Sequence, residues 1–329
     1  MARIIRFHEI GGPDVLRIEE VDVAGPGPGE VQIAVKALGL NRAEALMRAG
    51  RYIERPALPS GLGLEAAGIV AEVGEGVRGL ARGDAVSVVP PISMARYPAY
   101  GEVATFPAAH VVRHPVTLDW TTAAAVWMAY LTAYGALVDI ARLGPGEAAA
   151  ITAASSSVGL AAIQIANRVG ARPIAITRTA EKAEALIGAG AAHVVTLAEG
   201  GLDSRLAEAA GPDGVRVVFD AVGGPIVEPL AAAMAPGGLL IEYGGLSPEP
   251  TPFPLFTALS KTLTLRGYLV HEIIGDAARL EAAKAFVLDG LAAGALKPRI
   301  DKVFAFDDIV EAHRYLEAGD QVGKIVVRV

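Results

Sequence analysis

The chain has 329 residues, 52% of them hydrophobic but only 5% aromatic, with a formal net charge of -7 and a pI near 5.5. That length supports two domains with large aliphatic cores, and the acidic balance excludes a nucleic-acid groove, which needs a basic face. The absence of cysteine excludes a disulfide framework, a thiol nucleophile, an iron–sulfur cluster and Cys-ligated zinc.

The N-terminus, MARIIRFHEIGG, alternates charged and apolar residues as a first strand and lacks the apolar core of a signal peptide, so a cytoplasmic protein is expected. Short strands broken by Gly and Pro are predicted at 4–7, 15–21, 31–38, 68–73, 85–89 and 103–106, an all-β-like half. His110 and His114 have i, i+4 spacing, but VVR between them and Pro115 after them suit a strand end rather than a helical zinc motif. The other histidines, His8, His193, His271 and His313, also read as structural or surface residues, so no metal site is expected. The segment AAAVWMAYLTAYGALV at 123–138 is too short for a membrane span of about 20 residues and runs into Asp139. A buried helix is predicted there, and no membrane partner.

Beyond residue 124 the pattern changes to strand–helix alternation, with strands at 148–152, 173–177, 193–196, 215–220, 238–244 and 263–268. Such alternation predicts an α/β fold with a doubly wound parallel sheet. In AAAITAASSSVGLAAIQIANRVG at 148–170, a strand breaks into small residues at 153–157 and resumes as a helix. N–H groups of Ser157, Val158 and Gly159 at the helix start would then face an anion with the helix dipole behind them. The dinucleotide fingerprint G-x-G-x-x-G is degraded here to Ala154-x-Ser156-x-x-Gly159. A hydroxyl of Ser155, Ser156 or Ser157 either bonds the pyrophosphate or crowds it.

The next strand ends at Thr177, where an NAD site carries an acid for the ribose hydroxyls, and Arg178 and Lys182 follow. Charge-assisted bonds from these cations to a 2′-phosphate are worth roughly 1.5–3 kcal/mol, or about tenfold to a hundredfold in favour of NADPH. The other reading has both cations solvating a helix N-terminus, an end that disfavours them. A helix at 276–293, a strand at 302–306, a helix at 309–318 and a strand at 324–329 close the chain and are expected to return to the first domain.

With that cofactor half in place, HEIGGPDVLRIEEV, the segment GLNRAEALMRAGRYIERPALPSGLGLEAAGIVAEVGEGVRGLARGDAV and the closing AHRYLEAGDQVGKIVV follow one pattern. The chain resembles the zinc-independent quinone oxidoreductases of the medium-chain dehydrogenase/reductase superfamily, along essentially its whole length. The resemblance implies a GroES-like catalytic domain at 1–123, completed by 265–329, a Rossmann NADPH-binding domain at 124–264, and an active site in the cleft. In zinc-bearing relatives a Cys stands where this chain has Asn41, and Gly-His-Glu where it has Gly63-Leu64-Glu65. Glu65 is therefore read as a hydrogen-bonding or ion-pairing group.

Without a metal, a quinone or α,β-unsaturated carbonyl is the expected acceptor, since conjugation spreads the charge that a simple ketone would concentrate on one oxygen. The resemblance implies Asn41, Tyr52 and Thr132 as the substrate-side groups, with Thr132 also on the nicotinamide. It further implies cofactor contacts at Val222 and Gly223, at Tyr243, Gly244 and Gly245, and at Lys324. Relatives usually have Ala-Ala-x-Gly-Gly-Val-Gly at the phosphate turn; here serines replace two glycines. Three functions follow: an NADPH-dependent quinone reductase; an enoyl or alkenal reductase in which Tyr52 delivers a proton; and an NADPH-binding protein with little turnover. The predicted edge strand at 263–268 and the family resemblance both point to a homodimer.

Overall fold

The computed structural model describes residues 1–115 and 117–329. The chain forms two units, Met1–Met128 with Pro298–Val329, and Ala129–Lys297. The first opens with β1 (Ala2–Phe7), β2 (Leu16–Val21), β3 (Glu30–Gly39), α1 (Arg42–Arg48), β4 (Ser60–Gly61), β5 (Ala66–Val73), β6 (Ala85–Val88), β7 (Val103–Pro107), β8 (Val111–Arg113) and α2 (Trp120–Ala123). In β3, Val31, Ile33, Val35 and Ala37 alternate inward and are at most 3% exposed, as a half-buried strand requires. Strand β8 lies between His110 and His114, as their spacing suggested.

Helix α3 (Trp127–Tyr134) leads into the second unit, made of β9 (Ala148–Ile151), α4 (Ser157–Arg168), β10 (Arg172–Thr177), α5 (Ala183–Gly188), β11 (His193–Thr196), α6 (Leu202–Ala210), β12 (Val215–Asp220), α7 (Val227–Ala233), β13 (Met234–Glu242), α8 (Leu255–Lys261), β14 (Thr264–Gly267), α9 (His271–Ile274) and α10 (Ala277–Ala292). Its sheet is parallel, with order β11-β10-β9-β12-β13-β14. Numbered within the sheet this is 3-2-1-4-5-6, the doubly wound order whose direction reverses between β9 and β12, and ligands bind beyond the strand ends at that reversal. Ala150, Ile174, Ile176, Val195, Val218 and Leu240 make its core almost wholly aliphatic. The apolar run over Trp120–Ile140 is long enough to cross a membrane, yet 78% of its window is buried, as in a core helix.

The chain ends in the first unit with β15 (Ile300–Ala305), α11 (Ile309–Ala318) and β16 (Lys324–Arg328). Strands β15-β16-β3-β5-β6-β8 form one sheet, with β7 also pairing to β3, and β2-β1-β4 form another. The later domain boundary falls at 297/298 instead of 264/265. The reason is α10, which ties itself to earlier parts of the second unit. Arg168 donates to Phe286 O at 2.6 Å and pairs with Asp289 at 2.5 Å, and Arg279 pairs with Asp139 at 2.5 Å.

Candidate functional site

The expected site residues divide between the units: Asn41, Tyr52 and Lys324 lie in the first, and Thr132 with all the others in the second. In the second unit the strand β9 ends in a turn whose only left-handed non-glycine residue is Ala153, at φ 44°. Ser156 has φ −69° and caps α4, its Oγ accepting from Gly159 N at 3.0 Å. The two serines that replace glycines are therefore unstrained, and the unusual conformation falls on Ala153. Gly159 itself cannot change, because a Cβ there would lie 2.5 Å from Ala154 O.

With Gly159 capped, the N–H groups of Ser157 and Val158 are the first-turn donors that α4 leaves for a ligand. Ser156 and Ser155 each use a lone pair internally, Ser155 by accepting from Lys182 Nζ at 3.4 Å. Thr177 is buried at the end of β10, and Arg178 beside it is exposed. The Lys182 to Ser155 bond draws the cationic end of β10 against the turn that follows β9. The helix-start donors and Lys182 thus meet at the C-terminal ends of β9 and β10.

At the reversal itself, Asp220 is fully buried and accepts from the Thr152 hydroxyl, from Val222 N at 2.8 Å and from Gly223 N at 3.0 Å. These bonds hold the Val222–Gly223 loop, with Gly223 at φ 63°. Tyr243 stacks on Phe219 with ring centroids 3.9 Å apart, and a Cβ on Gly244 would meet Ala221 O at 2.8 Å, whereas one on Gly245 would meet nothing within 4 Å. Gly244 is thus demanded by packing and Gly245 is not. Thr132 is buried on α3.

Sequence reasoning missed Glu242, the register partner of Asp220 at the end of β13. Burial, then the Asp220 charge, push the Glu242 carboxyl up to about 8. A carboxylic acid kept neutral at pH 7 beside a fixed carboxylate spares the strand ends a second negative charge. Nothing in the local sequence signals it; only the pairing of β12 with β13 brings the two acids together.

In the first unit, Asn41 precedes α1 and is 7% exposed. Its Oδ1 accepts from Lys324 Nζ at 2.6 Å, and its Nδ2 donates to Gly39 O and Glu44 Oε1 at 3.2 Å and to Glu65 Oε2 at 3.4 Å. Glu65 accepts from Lys324 Nζ at 2.5 Å and from Met128 N at 3.0 Å, the ion-pairing role expected of it. Lys324 is only 1% exposed, and its ammonium is engaged in this internal network.

Glu44 was also missed, although Asn41-x-x-Glu44 has helix-capping spacing. It accepts from Asn41 N at 2.7 Å, Leu64 N at 3.0 Å and Tyr100 Oη at 2.6 Å, while burial raises its pKa. Beyond it, burial lowers His313 to about 3, so that ring is neutral against Tyr100. Tyr52 is half-buried, and burial with the charges of Glu54 and Glu44 pushes its phenol up to about 12. It holds its proton across neutral pH and can donate a hydrogen bond.

Two family models match: the alcohol dehydrogenase GroES-like domain over residues 27–116 and the zinc-binding dehydrogenase over residues 157–286. The chain is 33% identical to quinone oxidoreductase 1 of Escherichia coli K12 over 97% of both proteins. It is 29% identical to a 2-haloacrylate reductase of a Burkholderia species over 99% of this chain and 98% of that one. The crystal structure of Escherichia coli quinone oxidoreductase complexed with NADPH superposes with a TM-score of 0.91 at 32% identity, covering 100% of both chains. The second model's name raises zinc, but the residues do not fit it. The chain has no cysteine, no three His, Asp or Glu cluster as ligands among the described residues, and the carboxylate of Glu65 already holds an ammonium that would repel a metal cation. On this full-length similarity, the chain belongs to the quinone oxidoreductase family of the medium-chain dehydrogenase/reductase superfamily.

Proposed function

We propose that the protein is an NADPH-dependent reductase that delivers hydride to a quinone or a similarly conjugated carbonyl without metal assistance. The observation that carries this reading is the meeting of the α4 N-terminus, with its Ser155–Ser157 turn, and Lys182 at the C-terminal ends of β9 and β10, where Arg178 follows β10. When bound, NADPH supplies the hydride. The Ser157 and Val158 amides bind the pyrophosphate with the helix dipole behind them. Arg178 and Lys182 bind the 2′-phosphate, and Thr177 offers no carboxylate to repel it.

Neutral Glu242 keeps the strand ends compatible with an anionic cofactor. Thr132 and the Val222–Gly223 and Tyr243–Gly245 loops complete the cofactor side. On the substrate side, Asn41 supplies a fixed amide and Tyr52 a phenol that remains protonated and stabilises charge developing on a carbonyl oxygen. The test is consumption of NADPH by purified protein with a panel of ortho- and para-quinones. No oxidation above the uncatalysed rate would refute the quinone reading.

The similarity to a 2-haloacrylate reductase favours a second reading, reduction of a conjugated double bond with Tyr52 giving the proton. Tyr52→Phe separates them: a large loss on enones with little loss on quinones supports proton transfer. The protein is further proposed to be a homodimer. Strand β14 is an edge of the second unit's sheet, and in the same unit α8 and the residues before it expose Phe253 (63%), Phe256 (83%) and Leu259 (65%).

A further inference from the structure

We infer that the Lys324 ammonium is an internal counter-ion whose task is to fix the Asn41 amide, which makes Lys324 a positioning residue for the substrate side. The inference rests on the proposed reading only in assigning Asn41 to that side. The arrangement itself stands on geometry. Lys324 Nζ touches one carbonyl-type oxygen, Asn41 Oδ1 at 2.6 Å, and one carboxylate oxygen, Glu65 Oε2 at 2.5 Å, and all three residues are at least nine-tenths buried.

Every neighbour of the amide agrees on its orientation. The cation lies on the oxygen side; on the nitrogen side lie Gly39 O and the carboxylates of Glu44 and Glu65. Rotating the amide by a half-turn would set its N–H groups against the ammonium and its oxygen against two carboxylates. The chain pays for this cage in glycine. A Cβ on Gly39 would lie 2.8 Å from Lys324 Cε and 2.0 Å from Ala124 O, so residue 39 must be bare for the lysine stem to pass. Gly323, at φ 117°, lets Lys324 N reach Arg299 O at 2.8 Å and start β16 with its side chain inward.

Charge counting gives the consequence. Glu44 and Glu65 flank the amide, and Lys324 is the cation that contacts it. Removing that charge leaves Asn41 Oδ1 without its donor and Glu65 uncompensated, the expensive way to break a buried pair. Removing both Lys324 and Glu65 charges relieves the electrostatic penalty but leaves the amide without its anchor. Stability and amide orientation therefore separate in the double variant.

The experiment compares Lys324→Met, Lys324→Arg and Lys324→Met/Glu65→Gln in the full chain. The side-chain NH2 signals of Asn41, assigned by their disappearance in Asn41→Asp, are followed by proton–nitrogen NMR and hydrogen exchange. The parent should show a protected, single amide environment; Lys324→Met and the double variant should lose protection by about tenfold or more, and Lys324→Arg should retain most of it. In turnover, Lys324→Met should lower kcat by about tenfold or more while the KM for NADPH stays within about twofold.

If Lys324→Met does not fold, the double variant is read by the same NMR criterion. An unchanged Asn41 amide in either folded variant overturns the inference, as does a selective rise in the KM for NADPH at unchanged kcat, which would make Lys324 a cofactor ligand. If the parent reduces no acceptor, the enzymatic reading fails while the amide measurement still decides the role of Lys324.

Discussion

Glu242→Gln should stabilise the protein at alkaline pH. In the folded chain the carboxyl is raised from its ordinary 4.5 to about 8, chiefly by burial and then by Asp220. At about 1.4 kcal/mol per pH unit this difference corresponds to at most about 5 kcal/mol, and partial exposure reduces it to about 2–3 kcal/mol. The sign follows from proton counting. Between about 4.5 and 8 the folded state holds a proton that the unfolded state releases, so stability is fully present below that window and falls as pH rises through it.

Glutamine keeps the shape but cannot ionise. Thermal unfolding measured from pH 4 to 9 should therefore show parent and variant nearly together at the acid end and the variant higher by roughly 3–4 °C at the alkaline end. NADPH affinity should weaken above pH 8 in the parent, as two carboxylates come to face each other at the strand ends, and this alkaline loss should be smaller in Glu242→Gln. Parallel melting profiles across the whole range would refute the argument, because they would mean that Glu242 ionises in the fold as freely as in the unfolded chain.

Arg178→Ala and Lys182→Ala should each weaken NADPH binding by about tenfold with little change for NADH, as measured by titration calorimetry. Gly159→Ala should lower both melting temperature and NADPH affinity, since its Cβ would sit 2.5 Å from Ala154 O and push the turn away from the helix start. Phe256→Glu with Leu259→Glu should shift the mass seen by light scattering from dimer to monomer while leaving far-UV circular dichroism unchanged, because both side chains are exposed within their own unit.

How much of this was legible in the sequence depended on the range of the interaction. The second unit's strands were readable because buried parallel strands are short apolar runs, and β11, for instance, spans His193–Thr196 as its pattern indicates. Helix α1 was not, since seven helical residues starting at Arg42 carry too little periodicity to register. The domain boundary moved because α10 is assigned by tertiary contacts, a salt bridge from Arg168 to Asp289 and another from Arg279 to Asp139, that span more than a hundred residues.

The same distinction governs the site. Ser156 could be placed in the turn before α4, but whether it was strained depended on φ, and the strain lies three residues earlier on Ala153. Lys324 matched a family pattern for cofactor binding, yet its side chain turns toward residues 41 and 65, far away in sequence. A motif specifies which residue type is present; the direction of a long side chain is decided by what else is buried with it. A buried Glu65 carboxylate needs a cation, and the fold provides it from its own last strand.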